Sequence, residues 1–199
     1  KDADILGSLI TPSISNIGFL KNTLKANPDS NDMFSDENPL RERVKTVLNQ
    51  AEYLARKYSI VITNPPYLAP SSSDPVLQNF AKGQYPNSKE DVGIMFIERN
   101  FKLLYNKGFL AMITLHGWMF LARTVGLRNL ILSEKTILSL IHIGPRGFDS
   151  IGGEVVSTAA FVISNKTSKN NSSFISLTEG KSEAEKIQAI LSAIKTSNR

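Results

Sequence analysis

Tyr58-Ser59-Ile60-Val61-Ile62-Thr63-Asn64-Pro65-Pro66-Tyr67 is a short β-branched apolar run cut off by two consecutive prolines. Branched side chains favour an extended backbone. The unbroken apolar character of Ile60-Val61-Ile62 predicts a strand buried on both faces. Pro65 and Pro66 have no N–H to give to a ladder and cannot continue a helix, so the strand must stop at Asn64.

Outward from this run the pattern alternates. Upstream, Asn38-Pro39 supplies a helix cap and first helical position. Leu40, Val44, Val47, Leu48, Ala51, Leu54 and Ala55 then recur at three- and four-residue spacing, which predicts an amphipathic helix ending near Lys57. Residues 27–38 read as a polar loop, and Ile5–Leu24 as short apolar pieces broken by Gly7, Pro12 and Gly18. Downstream, residues 68–89 read as a long polar connection. Ser88 and Asp91 have the spacing of a capping box, and Ile94, Ile97, Phe101 and Leu104 predict a helix closed by Gly108 in the left-handed conformation. A second strand is predicted at Phe109–Thr114, a helix at Trp118–Leu132 and strands at Ile137–Ile143, Val155–Ile163 and Phe174–Leu177. Ile187, Ile190, Leu191 and Ile194 mark a last amphipathic helix, whose lysines (Lys181, Lys186, Lys195), mixed with Glu183 and Glu185, read as a solvated face.

Strand–helix–strand alternation predicts an α/β sheet with parallel central strands. Three stretches follow: an N-terminal segment over 1–57, the sheet core over 58–165 and a C-terminal extension over 166–199. In such sheets ligands sit beyond the carboxyl ends of the strands. Asn64 occupies that position after one strand, and Leu115-His116-Gly117-Trp118 after the next.

The absence of cysteine excludes disulfides, thiolate metal sites and a Cys nucleophile in this stretch, and two histidines make a His-rich metal centre improbable. No run of 18 apolar residues occurs, so no membrane span is expected, and the composition fits the cytoplasm. A formal charge of +5 favours approach to a polyanion without specifying one. The chain begins Lys1-Asp2-Ala3-Asp4, without an initiating Met, and is expected to be a piece of a longer polypeptide.

The chemistry sits at Asn64-Pro65-Pro66-Tyr67. Two prolines stiffen the backbone, so the Asn64 carboxamide oxygen and the Pro65 carbonyl are held at fixed positions. Two fixed acceptors suit one exocyclic NH2 group, whose two hydrogens need two partners. The amine of adenine is a poor nucleophile because its lone pair is delocalised into the ring. Acceptors that draw its hydrogens out of plane localise the pair towards an electrophilic methyl carbon, and Tyr67 offers a flat face for the base. Such a base must leave the duplex stack first. No covalent intermediate is needed, whereas cytosine-C5 methylation requires a Cys nucleophile.

With that motif in place the chain resembles the amino-methyltransferases, whose Asn-Pro-Pro-Tyr closes a strand of a Rossmann-like sheet. It is more closely similar to the adenine-specific (N6) DNA methyltransferases of BREX phage-defence systems, the PglX type. The matching stretches are Ile62–Tyr67, Tyr85–Asp91, Phe96–Glu98, Ala111–Leu121, His142–Phe148 and Gly152–Thr158, in the same order. The resemblance implies a partial Rossmann-like methyltransferase sheet with flanking helices. It also implies S-adenosylmethionine as methyl donor, and as partners DNA, other defence subunits and the rest of the same polypeptide. It places Asn64, Pro65, Pro66 and Tyr67 at the adenine, Phe148 on the other face of the base, and Asp91 beside the cofactor. The family's loop of the form Asp-Pro-Ala-x-Gly-x-Gly is absent from the chain, as is the acidic residue that ends the next strand. The first strands of the sheet are therefore expected upstream, and residues 1–199 alone are expected to be inactive.

Each further candidate has a structural reading beside the functional one. Phe148 can pack on the core, Asp91 can simply cap a helix, and Trp118 can pack. His116 can contact substrate or bond a loop carbonyl, and Arg146 can reach a phosphate or sit in a surface turn. Two alternatives to DNA methylation stand beside it: a non-catalytic binding module on a degenerate methyltransferase fold, and a protein-glutamine methyltransferase whose amide substrate would use the same clamp.

Overall fold

The computed structural model describes residues 2–12, 17–26, 39–70, 74–148, 156–169 and 171–196. The loop expected at 27–38, with Asn38, the Ser71–Ser73 run and residues 149–155 of the glycine-rich stretch lie outside the described residues. The chain divides into two compact units, Ala3–Arg56 and Lys57–Arg199.

The first unit is helical: α1 (Ala3–Leu6), a 3-10 turn at Gly7–Leu9, α2 (Ile17–Ala26) and α3 (Pro39–Ala55). Pro39 starts α3 as expected, because its fixed φ suits a first helical position. The apolar stripe of α3 is less buried than its spacing suggests. Leu48 is buried, but Leu40 and Val47 are exposed. Ionic contacts also hold this helix: Glu52 accepts from both Lys21 and Arg56, and the buried Arg41 donates to the Leu24 carbonyl.

The second unit is an α/β sheet. Its elements are β1 (Tyr58–Thr63), α4 (Pro75–Gln84), α5 (Val92–Leu103), β2 (Leu104–Leu115), α6 (Val125–Glu134), β3 (Thr136–Gly144), β4 (Thr158–Ser164), β5 (Ser173–Ser176) and α7 (Glu183–Thr196). Strand order is β1-β2-β4-β3-β5. β1 and β2 are parallel, as are β3 and β5, while β4 runs antiparallel to both of its neighbours. The expected parallel centre is thus interrupted by one reversed strand. β4 follows β3 in the chain and pairs beside it in the opposite direction. β1, β2, β3 and β5 therefore all end at the same sheet edge.

One sheet face is packed and the other is open. Ile94, Ile97 and Phe101 of α5 and Leu127 and Ile131 of α6 bury against Leu110, Met112, Phe161 and Ile163. Along β2 the buried residues alternate, so Ala111 and Ile113 face the other way. β1 is not buried on both faces: it is an edge strand in the described sheet, and Ile60 and Ile62 are 59% and 76% exposed. Ile62, Ala111, Ile113, Ile141 and Val162 line an open depression of about 360 Å³ on this second face, reaching Asn64.

Other expectations shift for local reasons. The 68–89 connection contains α4, capped by Asp74, whose carboxylate accepts from the Val76 N–H at 2.7 Å, with Pro75 at the first position. The left-handed residue here is Lys107, at φ 69° within β2, not Gly108; a Cβ on Gly108 would lie 3.0 Å from the Ser59 carbonyl oxygen, so close strand packing requires the glycine. The stretch from 116 makes two 3-10 turns, His116–Met119 and Ala122–Thr124, before α6 begins. Arg128 and Thr124 hold those turns by bonding the Trp118 and Leu121 carbonyls. Trp118 packs, with its ring edge-on to Phe161 at 5.2 Å.

Candidate active site

β1 delivers Asn64 to the sheet edge. Asn64 is exposed, Pro65 is buried, Pro66 is exposed and Tyr67 is half-buried. The prolines lie against the start of α5. A Cβ on Gly93 would sit 3.5 Å from Pro65 Cγ and 3.5 Å from the Pro66 carbonyl oxygen, and 3.0 Å from Asp91 Oδ1. The Leu68 carbonyl accepts from the Val92 N–H at 2.9 Å. The turn is thereby fixed at both ends, by the ladder before it and by a helix N-terminus after it.

Asp91 is the N-cap of α5. Its Oδ1 accepts from the Ile94 N–H at 3.1 Å, satisfying one of the helix's free donors. Ser88, the expected cap, instead donates its hydroxyl to the Glu98 carboxylate. Burial raises the Asp91 carboxyl above its ordinary range, against the lowering effect of the backbone donors and of Arg123. Tyr67 is likewise raised, first by burial and then by the Asp91 charge, so its phenol keeps its proton near neutrality. That hydroxyl lies 3.4 Å from Asn64 Oδ1, a long contact that leaves the carboxamide oxygen able to accept elsewhere.

Beneath the motif, Asn100 on α5 is buried in an otherwise apolar layer. Its Nδ2 donates to Thr63 Oγ1 at 3.1 Å and contacts Met112 Sδ at 3.3 Å. Sequence reading passed over this residue; the signal was a polar side chain on the face of α5 that meets the sheet.

The other candidates come to the same edge from β2 and β3. His116 begins the turn after β2, donating its N–H to the Ser157 carbonyl at 2.9 Å. Its Nδ1 lies 2.8 Å from Nε2 of His142, a residue of β3 to which no role was given from sequence. After β3 the chain turns through Gly144 at φ 73° and Arg146 at φ 55° to Phe148, both side chains half-buried. A Cβ on Gly144 would meet Thr178 at 3.0 Å, so this turn needs glycine for space as well as for its φ. The structure brings Asn64, His116, Arg146 and Phe148 to the carboxyl ends of three strands that run in one direction. Asp91 stands apart from them as part of the scaffold under the prolines. Thr158 Oγ1, at the start of β4 on the same edge, is buried and has no hydrogen-bond partner among the described residues.

Comparison with known proteins bears on the family and the fold. A family model described as Eco57I restriction-modification methylase matches residues 8–148. An adenine-specific methyltransferase BrxX of Escherichia coli O9:H4 (strain HS) is 42% identical over 121 residues, 61% of this chain and 10% of that protein. An adenine-specific methyltransferase PglX of Lacticaseibacillus casei (strain Zhang) is 34% identical over 165 residues, 82% of this chain and 14% of that protein. The chain thus spans a small part of the length of the relatives it matches. Among solved structures, one described as a class I S-adenosylmethionine-dependent methyltransferase from Listeria monocytogenes shares the fold with a TM-score of 0.50 at 14% identity, over 73% of this chain and 44% of that one. No helix among the described residues is long and apolar enough to cross a membrane. By the match over residues 8–148, this chain belongs to the Eco57I restriction-modification methylase family.

Proposed function

We propose that the polypeptide carrying this chain methylates the N6 amine of an adenine flipped out of DNA, with S-adenosylmethionine as donor, in a restriction-modification or BREX-type phage-defence system. The observation that carries this reading is the Asn64–Tyr67 turn. It presents an exposed carboxamide at the carboxyl end of a strand, on a proline backbone seated against Gly93 and the α5 N-terminus. The names of the relatives supply adenine as the base and the defence system as the setting.

In this reading Asn64 Oδ1 and the Pro65 carbonyl accept the two N6 hydrogens. The nitrogen pyramidalises and its lone pair turns out of the ring plane. S-adenosylmethionine, when bound, would supply an electrophilic methyl carbon; Asn64 and Pro65 hold the N6 lone pair towards it, and the surplus N6 proton would pass to water. Tyr67 stacks on one face of the base, a contact worth roughly 1–3 kcal/mol in single-strand binders. Phe148 covers the other face. Arg146 is assigned to a DNA phosphate and His116 to the substrate side of the site. The described residues do not complete a pocket for the donor. Asp91 is engaged as a helix cap, and a ribose hydroxyl would have to compete with the Ile94 amide for it. We assign the remaining cofactor contacts to parts of the polypeptide outside residues 1–199. The place of β1 at the edge of the described sheet and the open apolar face beside it support that assignment. Base-resolved mapping of adenine methylation, with wild type and Asn64→Ala, tests the reading.

A further inference from the structure

A base held on both faces needs the Asn64–Tyr67 turn and the Gly144–Phe148 turn in a fixed relation. The sheet alone gives this indirectly, since β2 and β4 separate β1 from β3. Side chains add a direct link across that gap. In the register, Ala159 of β4 pairs with Thr114 of β2 on one side and with His142 of β3 on the other. Over this methyl-sized residue, His142 Nε2 reaches His116 Nδ1 at 2.8 Å. Phe120 packs on both rings, with centroids 5.5 Å away in each case, edge-on to His116.

The main chain at the same point is pinned from the opposite side. Lys186 of α7 is 4% exposed, and its Nζ donates to the carbonyls of Ile143 and Leu177 at 2.6 Å each. The Leu177 N–H donates to the His142 carbonyl at 2.9 Å. The residues immediately before the Gly144 turn are therefore fixed through side chain and backbone together.

We propose that the His116–His142 hydrogen bond is a clasp that positions the Gly144–Phe148 turn for capture of the flipped base, with His142 as its positioning residue. The proposal rests on the adenine-clamp reading above. The bond requires one imidazole N–H facing one bare nitrogen, so it exists only while at least one ring is neutral. The groups facing the pair suit that state. Burial disfavours the charge on His116; burial, His116 and the Lys186 ammonium together disfavour it on His142; Glu185 acts on Lys186 in the opposite sense.

The test uses the whole polypeptide. Flipping is read on duplexes carrying 2-aminopurine in place of the target adenine, whose fluorescence rises when the base leaves the stack. KM and methylation are read on the matching adenine duplex, because 2-aminopurine has no N6 amine. His142→Leu keeps volume without a polar nitrogen, and His142→Gln restores a polar group near the position of Nε2. The clasp predicts that His142→Leu lowers the flipped-base signal and raises KM for DNA by about tenfold, the scale of one hydrogen bond. It predicts little change in donor binding, and recovery in His142→Gln. Wild-type flipping should weaken only as pH falls through the lowered histidine values, below the ordinary 6.5, and His142→Gln should flatten that dependence. If His142→Leu flips and methylates like wild type while Asn64→Ala does not methylate, the clasp is wrong and the adenine reading stands. If wild type neither flips nor methylates the base, both are wrong. If the leucine variant does not fold, an unchanged pH profile in His142→Gln overturns the clasp by itself.

Discussion

Asn100 Nδ2 donates to Thr63 Oγ1 at 3.1 Å, one residue before the exposed Asn64, inside a layer that is otherwise apolar. A buried carboxamide in such a layer is costly unless bonded, and here its bond fixes the last residue of β1. Asn100→Leu should therefore leave Thr63 unpaired, with a loss of about 1–3 kcal/mol in stability. Thr63→Val should cost a similar amount, and the double variant less than the sum of the two. Urea denaturation of the four proteins reads the coupling, and kcat/KM for methylation should fall with it. Strict additivity would show that the contact does no positioning.

Gly93 separates Asp91 from the prolines. Its hypothetical Cβ lies 3.0 Å from Asp91 Oδ1 and 3.5 Å from Pro65 Cγ. Gly93→Ala should press mainly on the cap, at a cost of about 1 kcal/mol. Gly93→Val should move the proline turn itself and cut methylation by more than about tenfold. Initial rates on one duplex substrate distinguish the two; equal rates for Gly93→Val and wild type would contradict the seating of the turn on α5.

The Tyr67 hydroxyl makes only a 3.4 Å contact with Asn64 Oδ1. Tyr67→Phe keeps the stacking face and should change kcat/KM by less than about threefold, since so long a bond is weak. Tyr67→Ala removes the face and should cost roughly 1–3 kcal/mol in base binding. A large defect in the phenylalanine variant would shift the residue's role from stacking to hydrogen bonding.

His116 and His142 both bind a proton less readily in the fold than at the ordinary value of 6.5, with burial the largest cause in each. The unfolded chain then holds more protons than the native state between the lowered values and 6.5, so stability rises with pH across that window. It is fully present above 6.5 and is lost as pH falls below it. Calorimetric Tm measured at pH 7.5 and pH 5.5 should drop more for wild type than for His142→Gln. An equal drop would remove the pair as its cause.

The elements were legible where period and punctuation agreed. Tyr58–Thr63 came out with the expected ends because prolines after a β-branched run leave one option, and Pro39 set the start of α3. What a strand packs against was not legible. Ile60-Val61-Ile62 is as apolar as a doubly buried strand, yet in this chain only the Val61 face is covered. The reversed β4 was hidden for a related reason, since an apolar run carries no direction. On the site, Asn64–Tyr67 stood out by local chemistry. Asn100, His142 and Lys186 did not, because each acts through a partner at least 26 residues away in sequence. Lys186 was masked further by its charged neighbours: among Lys181, Glu183 and Glu185 it reads as surface, but its ammonium is buried on two carbonyls.

The most direct measurement is base-resolved adenine methylation of DNA from cells expressing the whole polypeptide, wild type or Asn64→Ala. The account predicts a modified adenine within one recurring sequence in wild type, and its loss in the variant with protein level unchanged. The same mark in both, or no protein-dependent mark in either, would contradict the assignment of Asn64-Pro65-Pro66-Tyr67 as the adenine clamp.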